Sequence, residues 1–151
     1  MSNSIASDHP LTNEQLEALK IIAEKMIPAS EAHGVPSGSD ETVFAEIKIA
    51  ATREADILAQ GLDELLEACE GNLADQSASV VQALVEGSTV SRFAGTVVTA
   101  IVECYYRDSR VMTALGMEPR APFPQGYDLP DGDWSMLDPV RARGPIWRET
   151  S

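Results

Sequence analysis

A chain of 151 residues, 44% apolar and 23% charged, is long enough for one domain with a real core and too apolar for wholesale disorder. Its net charge of −13 argues against nucleic acid and anionic membranes as partners. It has no apolar run of membrane-spanning length, no CxxC pair, and no basic-then-apolar leader or arginine pair in residues 1–10, so a cytoplasmic protein without membrane insertion is expected.

The charge is unevenly spread. Residues 1–90 hold 16 acidic and 4 basic side chains, whereas residues 91–151 hold 8 and 7. All three lysines fall in the first part and seven of the eight arginines in the second. Lysine suits a solvated surface, and arginine suits planar, bidentate contacts at an interface. Simple drift in composition is the bland alternative.

Residues 1–11 read as a flexible N-terminus. A first helix starts at Thr12, which has capping-box spacing to Gln15 and lies just after Pro10. Leu16, Leu19, Ala23, Met26 and Ile27 then form one apolar stripe, which Pro28 ends. Gly34, Pro36 and Gly38 mark residues 29–39 as a loop. Ser39 or Asp40 caps the next helix. Ala51, Ala55, Leu58, Leu62, Leu65 and Cys69 follow at spacings of three and four. Val43, Phe44 and Ile47 extend this seam backwards across a break near Thr52, and Gly71 closes it.

A shorter helix over residues 75–86 turns Val80, Val81, Leu84 and Val85 inward, and Gly87 and Ser88 break it. The most hydrophobic element, residues 90–106, puts Phe93, Val97, Ala100, Ile101, Cys104 and Tyr105 on one face. Its β-branched run over 96–99 would suit a strand, but the flanking periodicity favours a helix. Ala94 and Gly95 are expected to let another helix approach closely. A last turn over 108–115 has a capping Asp108 and closes at Gly116. Residues 12–116 therefore read as an all-α bundle of about four to five helices. Cys69 and Cys104 fall on apolar faces, where buried free thiols are expected.

Residues 117–151 read as an extended arm. Pro119, Pro122, Pro124, Pro130, Pro139 and Pro145 exclude a long helix or central strand there. Yet the arm carries Phe123, Tyr127 and both tryptophans, Trp134 and Trp147. Arg141 and Arg143, two apart, share one side of an extended chain and could clamp carboxylates or carbonyls. These are residue types enriched at binding hot spots. Such an arm is laid on a surface, either its own bundle or a second protein.

Catalytic constellations lack residues. His9 and His33 are the only histidines, and both lie in expected loops. The Glu-x-x-His pairs of a bundle di-iron site are missing, as are a Gly-rich phosphate loop and a nucleophile elbow. Glu54, Asp63, Glu64, Glu67 and Glu70 flank the apolar seam and read as a solvated face. His33 beside Glu31 is a weak acid–base pair in a loop that preorganises nothing. Binding, with no metal or cofactor in this chain, is the expected role.

Three stretches carry a family resemblance. Residues 19–29, LKIIAEKMIPA, end a helix in an MIPA turn. Residues 105–111, YYRDSRV, run on to Leu115 and Gly116. The arm adds residues 122–127, PFPQGY, and Trp134 through Asp138, Pro139, Val140 and Arg141. Together these resemble the gluconate 2-dehydrogenase subunit 3 family, the small subunits of gluconate and flavin-dependent glucose dehydrogenases. The resemblance implies an all-helical, non-catalytic subunit that supports folding and assembly of a large flavoprotein of the glucose–methanol–choline oxidoreductase family. FAD would belong to that partner. Many members carry a twin-arginine leader, which residues 1–10 do not show. The candidate partner-binding residues are Tyr106, Arg107, Phe123, Tyr127, Trp134, Arg141, Arg143 and Trp147. Two rival readings are a stand-alone helical binding protein or chaperone with a self-packed arm, and a small enzyme acting through His33.

Overall fold

A computed structural model of the chain describes residues 9–121, 125–126 and 132–144. It is all-α, and among the described residues the one extended pairing is an isolated bridge between Ser30 and Val35. The chain divides into two compact units, Met1–Pro119 and Arg120–Ser151. The first holds α1 (Asn13–Met26), α2 (Glu41–Ala51), α3 (Ala55–Ala68), α4 (Ala78–Gly87), α5 (Phe93–Arg107) and α6 (Ser109–Ala114).

Local chemistry sets the helix ends. Thr12 and Gln15 form the expected reciprocal box: the Thr12 hydroxyl accepts from Gln15 N at 3.2 Å, and Gln15 Oε1 accepts from Thr12 N at 2.9 Å. Gln15 is also buried, and its Nε2 donates to Asp63 Oδ1 at 2.8 Å, which ties α1 to α3. The break expected near Thr52 is a 3-10 turn, Thr52–Glu54, between α2 and α3. Ser77 caps α4 by accepting from Val80 N at 3.4 Å.

The apolar seam read from the sequence forms the core. Leu19, Ile47, Leu58, Leu62, Phe93, Val97 and Ile101 are fully buried, and α5 lies against α2, α3, α4 and α6. Each such side chain contributes about 1.5–3 kcal/mol by leaving water. Leu11 and Leu73, outside the helices, complete the core. Cys69 and Cys104 are buried free thiols.

Several expectations change. Val80 and Met26 are exposed rather than inward. Val81 and Val85, four apart, define the buried line of α4, and Val80 lies about 100° off it. Met26 is the last residue of α1. The close approach expected at Gly95 occurs at Gly61: a Cβ on Gly61 would stand 2.1 Å from Cδ2 of Phe93, while Gly95 has open space. Gly95 is two residues past Phe93, about 200° around the helix, and so faces away.

The acidic run is only partly a solvated face. Glu64 accepts from the Ser88 hydroxyl, from Thr89 N at 3.1 Å and from Thr89 Oγ1 at 2.8 Å. The Ser88 and Thr89 bonds hold its carboxyl below the usual carboxylate range. Glu54 pairs with Arg92 at 3.2 Å, and Asp63 serves Gln15. At the other end of α4, Lys25 Nζ donates to Ala74 O at 2.9 Å and Gln76 O at 2.7 Å. Polar contacts therefore hold both flanks of α4.

The two glycines give opposite expectations. Gly61→Ala forces Phe93 out of place and should lower stability by about 1–3 kcal/mol. Gly95→Ala should be neutral or stabilising by up to about 1 kcal/mol. Denaturant unfolding of both variants checks this, and equal effects would refute the Phe93–Gly61 contact.

Candidate partner-binding site

The bundle presents two of the candidate residues, Tyr106 and Arg107, in the last turn of α5. Tyr105 and Tyr106 divide the work. The Tyr105 ring is buried and its hydroxyl donates to Pro36 O at 3.1 Å, with burial pushing its pKa up. Tyr106 is 52% exposed and meets the Tyr105 ring edge-on, with centroids 5.4 Å apart. The anchored ring thus fixes the exposed one. Arg107 is exposed and helps wall a groove with Thr42, Glu46, Cys104 and Ser109. Burial raises the pKa of the Cys104 thiol beneath it.

Arg110 locks this end of the bundle, and sequence reasoning gave it no role beyond its place in a motif. Asp40 caps α2 by accepting from Thr42 N at 3.1 Å, and Asp108 caps α6 by accepting from Arg110 N at 2.8 Å. The Arg110 guanidinium reaches both caps. Its Nη2 donates to Asp40 Oδ1 at 2.6 Å and to Asp108 Oδ2 at 2.9 Å, and its Nε donates to Asp108 Oδ1 at 3.0 Å. Hydrogen bonds from Arg110 hold both carboxyls below the usual aspartate range. Leu115 and Met117, just beyond α6, are exposed apolar residues that sequence reasoning missed. Their signal was Gly116 between them, a helix-ending residue whose φ is +75° in the structure.

In the second unit, Asp133 accepts from Ser135 N at 3.0 Å and starts a 3-10 turn, Trp134–Leu137, which leads into a short α7, Asp138–Ala142. Bonding from Ser135 lowers the Asp133 pKa. This corrects the extended reading of these residues. Pro139 sits in the first turn of α7, where its missing N–H breaks no helical bond. Arg141 and Arg143 therefore lie about 200° apart around a helical backbone rather than on one side. Arg141 Nη1 reaches Asp138 Oδ1 at 3.5 Å, and both side chains are exposed. Trp134 is 64% exposed and Met136 81%, with Leu137 and Val140 also exposed. Met136, Leu137 and Val140 were not anticipated as part of the apolar set. Phe123, Tyr127 and Trp147 lie outside the described residues.

His33 Nδ1 lies 2.9 Å from the Ser30 hydroxyl in an exposed turn. His9 accepts from Leu11 N at 3.0 Å on Nδ1, so its Nε2 carries the hydrogen that Lys48 O accepts at 3.0 Å. Among the described residues no group of three or more His, Cys, Asp or Glu side chains could hold a metal ion, and no helix is long and apolar enough to cross a membrane. Comparison with known proteins finds no matching family model, no matching curated protein and no matching solved structure.

The Arg110 lock has a defined pH dependence. Depressed carboxyl pKa values mean that its stabilisation is fully present above the ordinary aspartate value of about 3.9 and is lost as pH falls through the lowered folded values. Arg110→Ala should cost about 1–2 kcal/mol at neutral pH, discounted because the guanidinium is partly exposed. The difference from the unmodified protein should shrink below roughly pH 4. Urea unfolding at neutral and acidic pH checks both; a pH-independent difference would refute the lock.

Proposed function

We propose that this chain is a non-catalytic small subunit that binds and stabilises a large FAD-dependent sugar or alcohol oxidoreductase. One observation carries the binding half of this reading: Trp134, Met136, Leu137 and Val140 stand exposed together on one short helical segment, beside exposed Arg141 and Arg143. Large apolar side chains in water gain from burial, and arginine beside them supplies directional bonds to carboxylates and carbonyls. Tyr106, Leu115 and Met117 offer further apolar contact on the bundle. The identity of the partner as a flavoprotein rests on the resemblance of residues 19–29, 105–116 and the arm to gluconate 2-dehydrogenase subunit 3.

The energetics suit an obligate partner. Ordering an arm on docking opposes binding by about 1–2 kcal/mol per backbone residue. Proline lowers that cost, because the undocked backbone is already restricted. A stable pair of this kind buries more than ~2,000 Å². FAD and the substrate pocket belong to the large subunit in this reading, so this chain acts on folding, flavin retention and stability rather than on the chemical step.

Coexpression tests the proposal. A glucose–methanol–choline type flavoprotein from the same cells should be soluble, flavin-loaded and active with this chain, and poorly so without it. Trp134→Ala should weaken the complex by at least tenfold, the scale of a hot-spot anchor, and leave the melting temperature of the isolated chain unchanged. A flavoprotein that is equally loaded and active without this chain sinks the idea. A melting temperature lowered by Trp134→Ala would instead favour a self-packed arm.

A further inference from the structure

A groove of about 370 Å³ runs between α1, α4 and α5. Ile22, Met26, Val81, Val85, Ala94 and Val98 make its walls apolar. Met26 is 38% and Val98 43% exposed, so the groove opens to water along these two, while Ile22, Val81 and Val85 are buried beneath. Lys25 lines the end beside Ala78 and Ser79, the start of α4, and Glu86 lines the opposite end. Ala78 to Glu86 spans about 12 Å of helix, roughly the length of an eight- to ten-carbon chain with C–C bonds near 1.5 Å.

The charges at the two ends are unlike. The Lys25 ammonium has three donors, of which two go to Ala74 O and Gln76 O. Those carbonyls hold the nitrogen in place but do not neutralise it. Among the described residues no carboxylate pairs with Lys25, in a chain with 24 acidic side chains. A fixed cation with one donor to spare therefore stands at one end of an apolar trough. At the far end the Glu86 carboxylate, accepting from Gln82 Nε2 at 2.9 Å, repels an anion and so sets the direction in which one would lie.

We propose that this groove binds a free, medium-chain aliphatic carboxylate, with its head at Lys25 and its tail along Met26, Val81, Val85 and Val98. All of the residues that line it belong to the first unit, and the proposal does not depend on the flavoprotein reading. The occupant is a monomeric amphiphile rather than a bilayer, because the Glu86 carboxylate lines the trough and the protein as a whole is strongly acidic, so an anionic lipid surface is repelled.

Calorimetric titration of the full chain with hexanoate, octanoate and decanoate, against octylamine and octanol, decides the matter. Saturable one-to-one binding of the carboxylates is expected, tightening roughly fourfold per methylene, with octylamine at least tenfold weaker than octanoate. Lys25→Met should bring octanoate and octanol to equal affinity. Val98→Glu, at an exposed position that leaves the fold intact, should abolish carboxylate binding without changing the helical circular dichroism, and it decides the question even if Lys25→Met unfolds. Equal affinity for amine and acid, no chain-length dependence, or unchanged binding in Val98→Glu would overturn the proposal. Binding to anionic vesicles alone would overturn it too. So would self-association that Val98→Glu disrupts with no response to carboxylate, since the groove would then be an interface between copies.

Discussion

A phenylalanine ring seated on a glycine sets the spacing of the bundle. Phe93 begins α5 and is fully buried, and Gly61 of α3 leaves the space that its ring fills. The buried face of α5 then continues through Val97, Ile101 and Cys104 in helical register, so an error at Phe93 propagates along the whole helix. The residue before it, Arg92, has φ +70°, in the left-handed region. A non-glycine residue there costs about 1–2 kcal/mol, and burying the Phe93 ring contributes about as much or more. Packing therefore holds a backbone turn that local preference opposes.

Around that contact, a strongly acidic chain places three of its cations where helices begin and end. Arg110 joins the caps of α2 and α6, Lys25 grips the carbonyls ahead of α4, and Arg92 meets Glu54 at the kink between α2 and α3. These contacts fix the segments where the backbone's own donors and acceptors run out. The end of α5 is in consequence a firm platform: Tyr105 is tied to the 29–39 loop, and Tyr106 and Arg107 project from the turn it anchors.

Local patterns made most of the bundle legible. The Thr12–Gln15 box, the three-and-four spacing from Ala51 to Cys69 and the interruption at Thr52 each depend on residues near one another in the chain, and each reads correctly. What stayed hidden depends on which helices meet. Nothing near Gln15 announces Asp63, nothing near Glu64 announces Ser88 and Thr89, and the close approach expected at Gly95 falls at Gly61 once Phe93 faces α3. In the arm, proline was read as enforcing extension, yet Pro139 lies at the one stretch of a helix that tolerates it. Of the candidate contact residues, Tyr106, Arg107, Trp134, Arg141 and Arg143 stand on the surface, and the unforeseen neighbours Met136, Leu137 and Val140 enlarge the apolar row that Trp134 begins.

The two sulfur atoms give the molecule a built-in reporter. Cys69 closes α3 and Cys104 lies within α5, both more than nine-tenths buried, and burial pushes the pKa of the latter up, away from the reactive thiolate. An alkylating reagent meets only a small part of either residue, Cys104 along the groove it helps wall, and gains more as the surrounding helices part. Their separate modification rates therefore measure how often each neighbourhood breathes, and whether both open together or one end loosens alone.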